Sequence, residues 1–302
     1  MEARPTTKSY NERMTYIKHL WPLPLLALCV GVTVGQNAQV PLSIGIAPSM
    51  LKDLTDGQQI FISGEFPLLV KQFTGLDGKL ARAKDVADLA QRVEAGTDPF
   101  GVFQGVEFAW IRVKHPELKP LLISVYHRAR GRALLVVKKD SAYAKFADLR
   151  GKNLSLLRQG KEHSRLFAIK GAGGDFDEFF GKVVDPPNAE AALDAILLGT
   201  VDAAIVDDAS LDIYKDVNPG RHDRLKIIAE SPLFPPGVIV HNPKKVAPAA
   251  VEQFRVGMLN ANRIERGRDV MSSFKITAFE AVPAEFETWL AEILKEYPTP
   301  PK

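Results

Sequence analysis

The chain of 302 residues has room for one large domain or two modest ones. Its 46% hydrophobic and 25% charged residues suit a globular protein with a sizeable core. The formal net charge of +3 is drawn partly from the N-terminus, where Arg4, Lys8, Arg13 and Lys18 stand against Glu2 and Glu12; the near-neutral remainder argues against a nucleic-acid-binding surface.

The chain begins with those basic residues and an apolar run from Leu20 to Val34 that holds Pro22 and Pro24. Thr33-Val34-Gly35 then offers small residues for cleavage before Gln36, so residues 1–35 read as an export signal. The run falls short of the ~20 residues that usually span a bilayer. An uncleaved N-terminal anchor is the alternative. Either way the remainder is expected to be periplasmic or extracytoplasmic, free or tethered. Cys29 is the only cysteine and lies inside the run. Leu28 precedes it where a lipoprotein signal wants a small residue. Cleavage would leave no disulfide, no thiolate metal site and no cysteine nucleophile.

Leu42 to Ala47 reads as a short strand ending in the turn-forming Pro48-Ser49. Phe66, Leu69, Val70 and Phe73 form one stripe of a helix over 65–73. A second strand is expected over 80–83. Asp85 can cap the next helix, with Asp88 in its first turn, an apolar stripe of Val86, Leu89, Ala90 and Val93, and Gly96 as its stop. Strands follow at 100–103 and 121–125, with a helix over 106–114 between them. Arg128, Arg130 and Arg132 have strand spacing and would share one face. They would suit an anionic ligand, although a solvated sheet edge is the commoner reason for such a run. A continuous apolar strand follows at 133–137, a short helical turn at 146–152 and a strand at 154–157. Further strands are expected at 225–228 and 238–240, separated by the proline-rich Ser231–Gly237, a stiff segment suited to crossing between lobes. Helices over about 247–263 and 283–295 close the chain.

One unit occurs twice. Leu193 to Asp208 is an amphipathic helix, a Gly199-Thr200 stop and a buried strand ending in Asp207 and Asp208. Leu89 to Gln104 is a looser copy with Gly96-Thr97 as the stop. Buried parallel strands look like this, and α/β sheets bind ligands beyond the carboxyl ends of their strands. Two such units suggest two similar lobes facing one another across a cleft.

Lys138-Lys139-Asp140-Ser141 followed by Asp148-Leu149-Arg150-Gly151-Lys152 resembles the second-lobe opening of type 2 periplasmic binding proteins. The Gly199-x-x-Asp202-Ala203-Ala204 unit, Glu230-Ser231-Pro232 to Val240, and Ile276 to Val282 fit the same order. The pattern is most similar to the phosphate, phosphite and phosphonate-binding group of ABC transporter substrate-binding proteins, over roughly residues 40–295. The resemblance implies an α/β Venus-flytrap fold, with two lobes joined by two crossover strands. Lobe 1 would hold residues 40–131 plus 237–302, and lobe 2 residues 132–236. Ligand would sit between them and draw them together.

The same resemblance points to site residues. Relatives open a second-lobe helix with a Ser-Thr-Ser-Gly run that holds the anion. This chain has Lys161-Glu162-His163-Ser164-Arg165 there. Lys161, His163 and Ser164 can serve an anion, whereas Glu162 would repel one; a solvated helix start is the alternative. Asp207 and Asp208 fall where relatives meet a ligand amine, and are also ordinary caps for the following helix; family position and strand-end position together favour ligand contact for Asp207. Gln104 and Gly105 match a Gly-Pro turn that exposes backbone N–H groups, with Gly105 permitting close approach. Glu107 then reads as an acid in a helix's first turn. Pro48 and Ser49 can donate from another helix start. Tyr126 and His127, near the crossover, would line the cleft or pack the hinge.

No catalytic constellation emerges. The six histidines lack metal-ligand spacing, and neither a phosphate-cradling Gly-x-x-x-x-Gly-Lys-Ser nor a Gly-x-Ser-x-Gly elbow occurs. No metal or cofactor is expected. The expected function is that of an exported solute-binding protein, not an enzyme. It would capture a small anionic, phosphonate- or phosphate-like ligand for a membrane ABC permease. A sensory or scaffold protein signalling to a membrane partner by the same closure is the alternative, and an enzyme on this fold is a third.

Overall fold

Helices and strands alternate along the chain. The first part holds β1 (Leu42–Ile46), α1 (Asp56–Thr74), β2 (Gly78–Arg82), α2 (Val86–Ala95), β3 (Phe100–Phe103), α3 (Gly105–Arg112) and β4 (Lys119–Val125). The middle holds β5 (Ala133–Lys138), β6 (Asn153–Leu156), α4 (Glu162–Gly171), α5 (Phe176–Phe179), β7 (Lys182–Val184), α6 (Ala189–Leu198), β8 (Ala203–Asp207), α7 (Asp208–Val217), α8 (Pro219–His222) and β9 (Leu225–Glu230). The last part holds β10 (Val238–His241), α9 (Pro248–Leu259), α10 (Glu265–Ser273), β11 (Ala278–Ala281) and α11 (Phe286–Glu296). The computed structural model describes residues 42–51, 54–126, 128–157, 162–173 and 176–298, all within one compact unit. The expected export segment, His127 and Lys161 lie outside the described residues.

The strands form two sheets. The first has the order β11-β4-β10-β3-β1-β2, with β1 parallel to β2 and β3, and β10 antiparallel to β3 and β4. The second has the order β7-β6-β8-β5-β9, with β6 parallel to β7 and β8, and β5 antiparallel to β8 and β9. Chain therefore leaves the first sheet after β4 and returns to it at β10.

Both sheets are covered on both faces, which is why their central strands are continuously apolar. In β5, Ala133, Leu135 and Val137 pack with α4, while Leu134 and Val136 pack with α6 and α7. β8 divides in the same period-two way, Ala203 and Ile205 against Ala204 and Val206. On the first sheet, α2, α3 and α11 cover one face and α1, α9 and α10 the other. Truncating a fully buried member such as Leu135 costs about 2–5 kcal/mol.

The two connecting segments run side by side. The Phe234 N–H donates to the Gly131 carbonyl at 2.8 Å, the Ser231 N–H to the Ala133 carbonyl at 2.9 Å, and the Ala133 N–H to the Ser231 hydroxyl at 2.9 Å. The arginine series lies in this crossing, outside the named strands. Arg128 pairs with Asp212 and, at 3.4 Å, with Asp208; Arg130 pairs with Glu292 at 3.0 Å and donates to the Leu233 carbonyl at 2.7 Å; Arg132 pairs with Glu230. Each guanidinium pairs with an acid of the protein, and Arg128 and Arg132 stay partly exposed, so the series serves the crossing rather than a regular strand edge.

Candidate functional site

A cavity of about 730 Å³ opens beyond the carboxyl ends of the parallel strands β6 and β8. Leu156, Leu157 and Ile205 to Asp207 form its floor, residues 185–190 and α7 its walls, and Thr55, Tyr126 and Lys275 reach it from the side of the first sheet. A smaller cavity of about 140 Å³ adjoins the crossing segments and is lined by Ser49, Gln104, Gly105, His163 and Phe234 among others. Tyr126 and Lys275 line both.

The first-sheet side is built by strand ends. Pro48 opens the 3-10 turn Pro48–Leu51 that follows β1; it lines neither cavity, but the turn it starts presents Ser49. Ser49 is 8% exposed, and its hydroxyl has no hydrogen-bond partner among the described residues. Gln104 caps α3, and its side-chain amide donates to the Ser49 carbonyl at 3.4 Å, tying the ends of β1 and β3 together. The Glu107 carboxylate accepts from the Gln104 N–H at 3.1 Å, so this buried acid closes the helix start. A Cβ on Gly105 would lie 2.4 Å from the Pro236 carbonyl and 2.5 Å from that of Pro235. The close approach that this glycine permits in the structure is to the returning crossover, while the residue also lines the smaller cavity.

On the second-sheet side, α4 begins with buried Glu162, His163 and Ser164. Ser164 faces the larger cavity and His163 the smaller, where its ring stacks on Phe234 at 5.2 Å. Glu162 pairs with Arg165 at 3.1 Å, which offsets the charge that would repel an anion. Asp207 lines the larger cavity while capping α7: it accepts from the Ser210 N–H and hydroxyl, each at 2.9 Å. Cap and cleft position coincide in this residue. Asp208 instead holds the crossing, accepting from the Ala209 N–H at 3.0 Å and the Arg132 N–H at 3.3 Å.

Tyr126 sits where β4 runs out. Burial first, and the Asp207 charge second, push its phenol pKa up, so it stays a protonated donor. Lys275, absent from the sequence expectations, is the only cation lining the larger cavity among the described residues. It is also the only non-glycine among them with a left-handed backbone, φ 54°. The loop is pinned beside Tyr126, since the Thr277 N–H donates to the Val125 carbonyl at 2.7 Å and the Ile276 N–H to the Met271 carbonyl at 3.0 Å. The segment 276–282 that follows Lys275 carries the family resemblance, but the left-handed conformation that sets the lysine apart is not visible in sequence. Among the described residues no group of three or more His, Cys, Asp or Glu could hold a metal ion.

Comparison with known proteins supplies the family. A family model described as "ABC transporter, phosphonate, periplasmic substrate-binding protein" matches residues 68–285. No curated protein sequence matches the chain. Among solved structures, PhnD1 from Prochlorococcus marinus in complex with methylphosphonate is 14% identical, with a TM-score of 0.57 over 85% of this chain and 98% of that one. A binding protein component of an ABC phosphonate transporter from Pseudomonas aeruginosa is 16% identical, with a TM-score of 0.55 over 85% of each chain. A Xanthomonas citri protein bound to ATP is 15% identical, with a TM-score of 0.55 over 83% of this chain and 94% of that one. Two α/β sheets joined by paired crossings, a cleft at the strand ends and a family match over most of the chain agree: the protein belongs to the periplasmic phosphonate substrate-binding proteins of ABC transporters.

Proposed function

We propose that this protein captures an organic phosphonate or a similar oxyanion between its lobes and delivers it to a membrane permease. The observation that carries this reading is the junction of the two cavities. There Lys275 and Tyr126 line both spaces, with the unpartnered hydroxyl of Ser49 on one side and Ser164 in the first turn of α4 on the other. One positive charge, several hydroxyl donors and the positive end of a helix dipole make an oxyanion receptor. Asp207 stands at the same cleft and would accept from an amine or a protonated acid group of the ligand. The function needs binding and closure, with no bond made or broken. The moving bodies in this reading are residues 40–131 with 237–302, and residues 132–236. Residues 1–35 direct export, and N-terminal sequencing of exported protein should begin near Gln36.

Calorimetric titration against phosphate, methylphosphonate, methanesulfonate and acetate tests the reading. At least one oxyanion should bind at a single site. Hydrogen bonds to charged groups contribute about 1.5–3 kcal/mol each, so Ser164→Ala and Lys275→Gly should each weaken it about ten-fold or more. Lys275→Gly also relieves a left-handed lysine, so its stability should change by less than about 1 kcal/mol. Failure of all four compounds to bind would overturn the oxyanion reading.

A further inference from the structure

Half of the larger cavity is not accounted for by an oxyanion. Helix α7 starts at its polar end, where Asp207 caps it, and buries Leu211 and Tyr214 in the core beneath the second sheet. Its next turns carry a second apolar stripe that this core does not use. Ile213 and Val217, four residues apart and so on one face, both line the cavity and are 42% and 68% exposed. Pro186 and Pro187 line the same space. Exposed large aliphatic side chains gathered in one concavity mark a binding surface more often than chance exposure does. The opposite lobe does not supply their cover: the residues it contributes to this cavity are Thr55, Tyr126 and Lys275, each ending in a polar group. The acids nearby have other work. Asp207 caps α7, Glu190 lies in the first turn of α6 and accepts from Asn218 at 3.3 Å, and Asp185 has a partner of its own.

We infer that the cleft takes an oxyanion carrying an extended apolar substituent, whose head lies at Lys275 and Ser164 and whose chain runs along the Ile213–Val217 stripe. This rests on the oxyanion reading above and adds the body of the ligand to its head. Geometry sets the length: Ile213 is six residues beyond Asp207, about 9 Å along the helix axis, and Val217 about 6 Å further. A chain of about six carbons reaches the first, and a longer one would be needed to reach the second. The volume agrees, since about 730 Å³ falls in the range of sites that enclose ligands far larger than methylphosphonate.

The test is calorimetric titration of the intact protein with two probes that share a head, methylphosphonate and hexylphosphonate. It is repeated on the double variant Ile213→Ser, Val217→Ser. These side chains are solvent-exposed, so the variant should fold, and circular dichroism checks that it does. Burying several methylenes should make hexylphosphonate at least ~30-fold tighter than methylphosphonate. The double variant should lose most of that gain and keep its methylphosphonate affinity. Equal affinity of the two probes for the intact protein would overturn this inference and leave the oxyanion reading standing. A gain for hexylphosphonate that survives the double substitution would overturn the assignment of the chain to α7. If neither probe binds, both this inference and a phosphonate ligand fall.

Discussion

The two helix–glycine–strand units share a construction and differ at the point that meets the cleft. In the first, α2 stops at Gly96 and β3 ends at Gln104; in the second, α6 stops at Gly199 and β8 ends at Asp207. Gln104 and Asp207 are both N-caps of the next helix, and Glu107 and Ser210 both stand three residues on. The roles are exchanged. In the first unit the buried carboxylate of Glu107 reaches back to the cap's N–H, and a neutral amide is left at the strand end. In the second unit the cap itself is the carboxylate, and it lines the larger cavity. The lesson is that a repeated scaffold can place charge on one lobe and neutral donors on the other by moving one acid three residues along a helix start.

The units also share an acid that staples the strand to its neighbour, and breaking it should give the largest effects. Asp98 is 1% exposed, accepts from the Ser43 hydroxyl on β1, and pairs with Arg92 at 2.6 Å. Asp202 accepts from the Asn153 N–H of β6 and the Tyr143 hydroxyl, each at 2.8 Å. Asp98→Ala leaves Arg92 without that partner and should cost about 3 kcal/mol, against about 2 kcal/mol for Asp202→Ala, which removes hydrogen bonds only. Urea unfolding midpoints of the two variants check the order. Equal losses would mean that the Arg92 pair adds nothing.

The two stop glycines should separate next. Both are left-handed, φ 81° at Gly96 and φ 73° at Gly199. A Cβ on Gly96 would lie 2.8 Å from the Lys245 Cβ, whereas one on Gly199 meets nothing within 4 Å. Gly199→Ala should therefore cost only the backbone strain, about 1 kcal/mol, and Gly96→Ala about 2 kcal/mol or more. Thermal unfolding of the pair measures the difference.

The smallest expected effect comes from the neighbours of the two strands. Phe100 of β3 lies opposite His241 of β10, while Ala203 of β8 lies opposite Val137 of β5. Burial lowers the His241 pKa, against a weaker opposing effect of its hydrogen bond with the Lys119 backbone. The unfolded chain takes up this proton near the ordinary imidazole value of about 6.5, and the folded chain only at lower pH. The unfolded state thus binds more protons between the two values, and stability falls as pH drops from 7 toward the folded value. His241→Val should flatten that part of the pH–stability curve without altering the cleft, and unfolding at pH 5 and pH 7 reads it. An unchanged slope would exclude His241 as its source.

Much of the fold was legible because local signals coincided. Helix α2 has a capping acid, a clear apolar stripe and a glycine at the left-handed stop, and the fully buried strands β5 and β8 are unbroken apolar runs. Helix α1 begins at Asp56, well before the expected start at residue 65. Its first turn, residues 56–59, is polar and contains Gly57. Ile60 and Phe61 are exposed, so they make no stripe with buried Ile62, and the capping box between Thr55 and Gln58 is the signal that marks the start. Helix α10 was missed because only Gly267, Val270 and Met271 are buried in it, too few to make a stripe. The site divides in the same way. Strand-end residues such as Ser49, Gln104 and Asp207 could be found because order along the chain implies position at the cleft. Lys275 could not, since it comes from a loop after α10 and reaches the cleft only through the hydrogen bonds that pin that loop to the end of β4. The arginines' acid partners were not legible, because spacing shows which side chains could share a face but not that Asp208, Asp212, Glu230 and Glu292 would meet them.

Small-angle X-ray scattering with and without saturating methylphosphonate tests most directly whether these two lobes form a receptor that closes on its ligand. Closure about the paired crossings at Gly131 and Phe234 predicts that the radius of gyration falls on saturation. Methylphosphonate binding that saturates by calorimetry and leaves the radius of gyration unchanged would contradict the account.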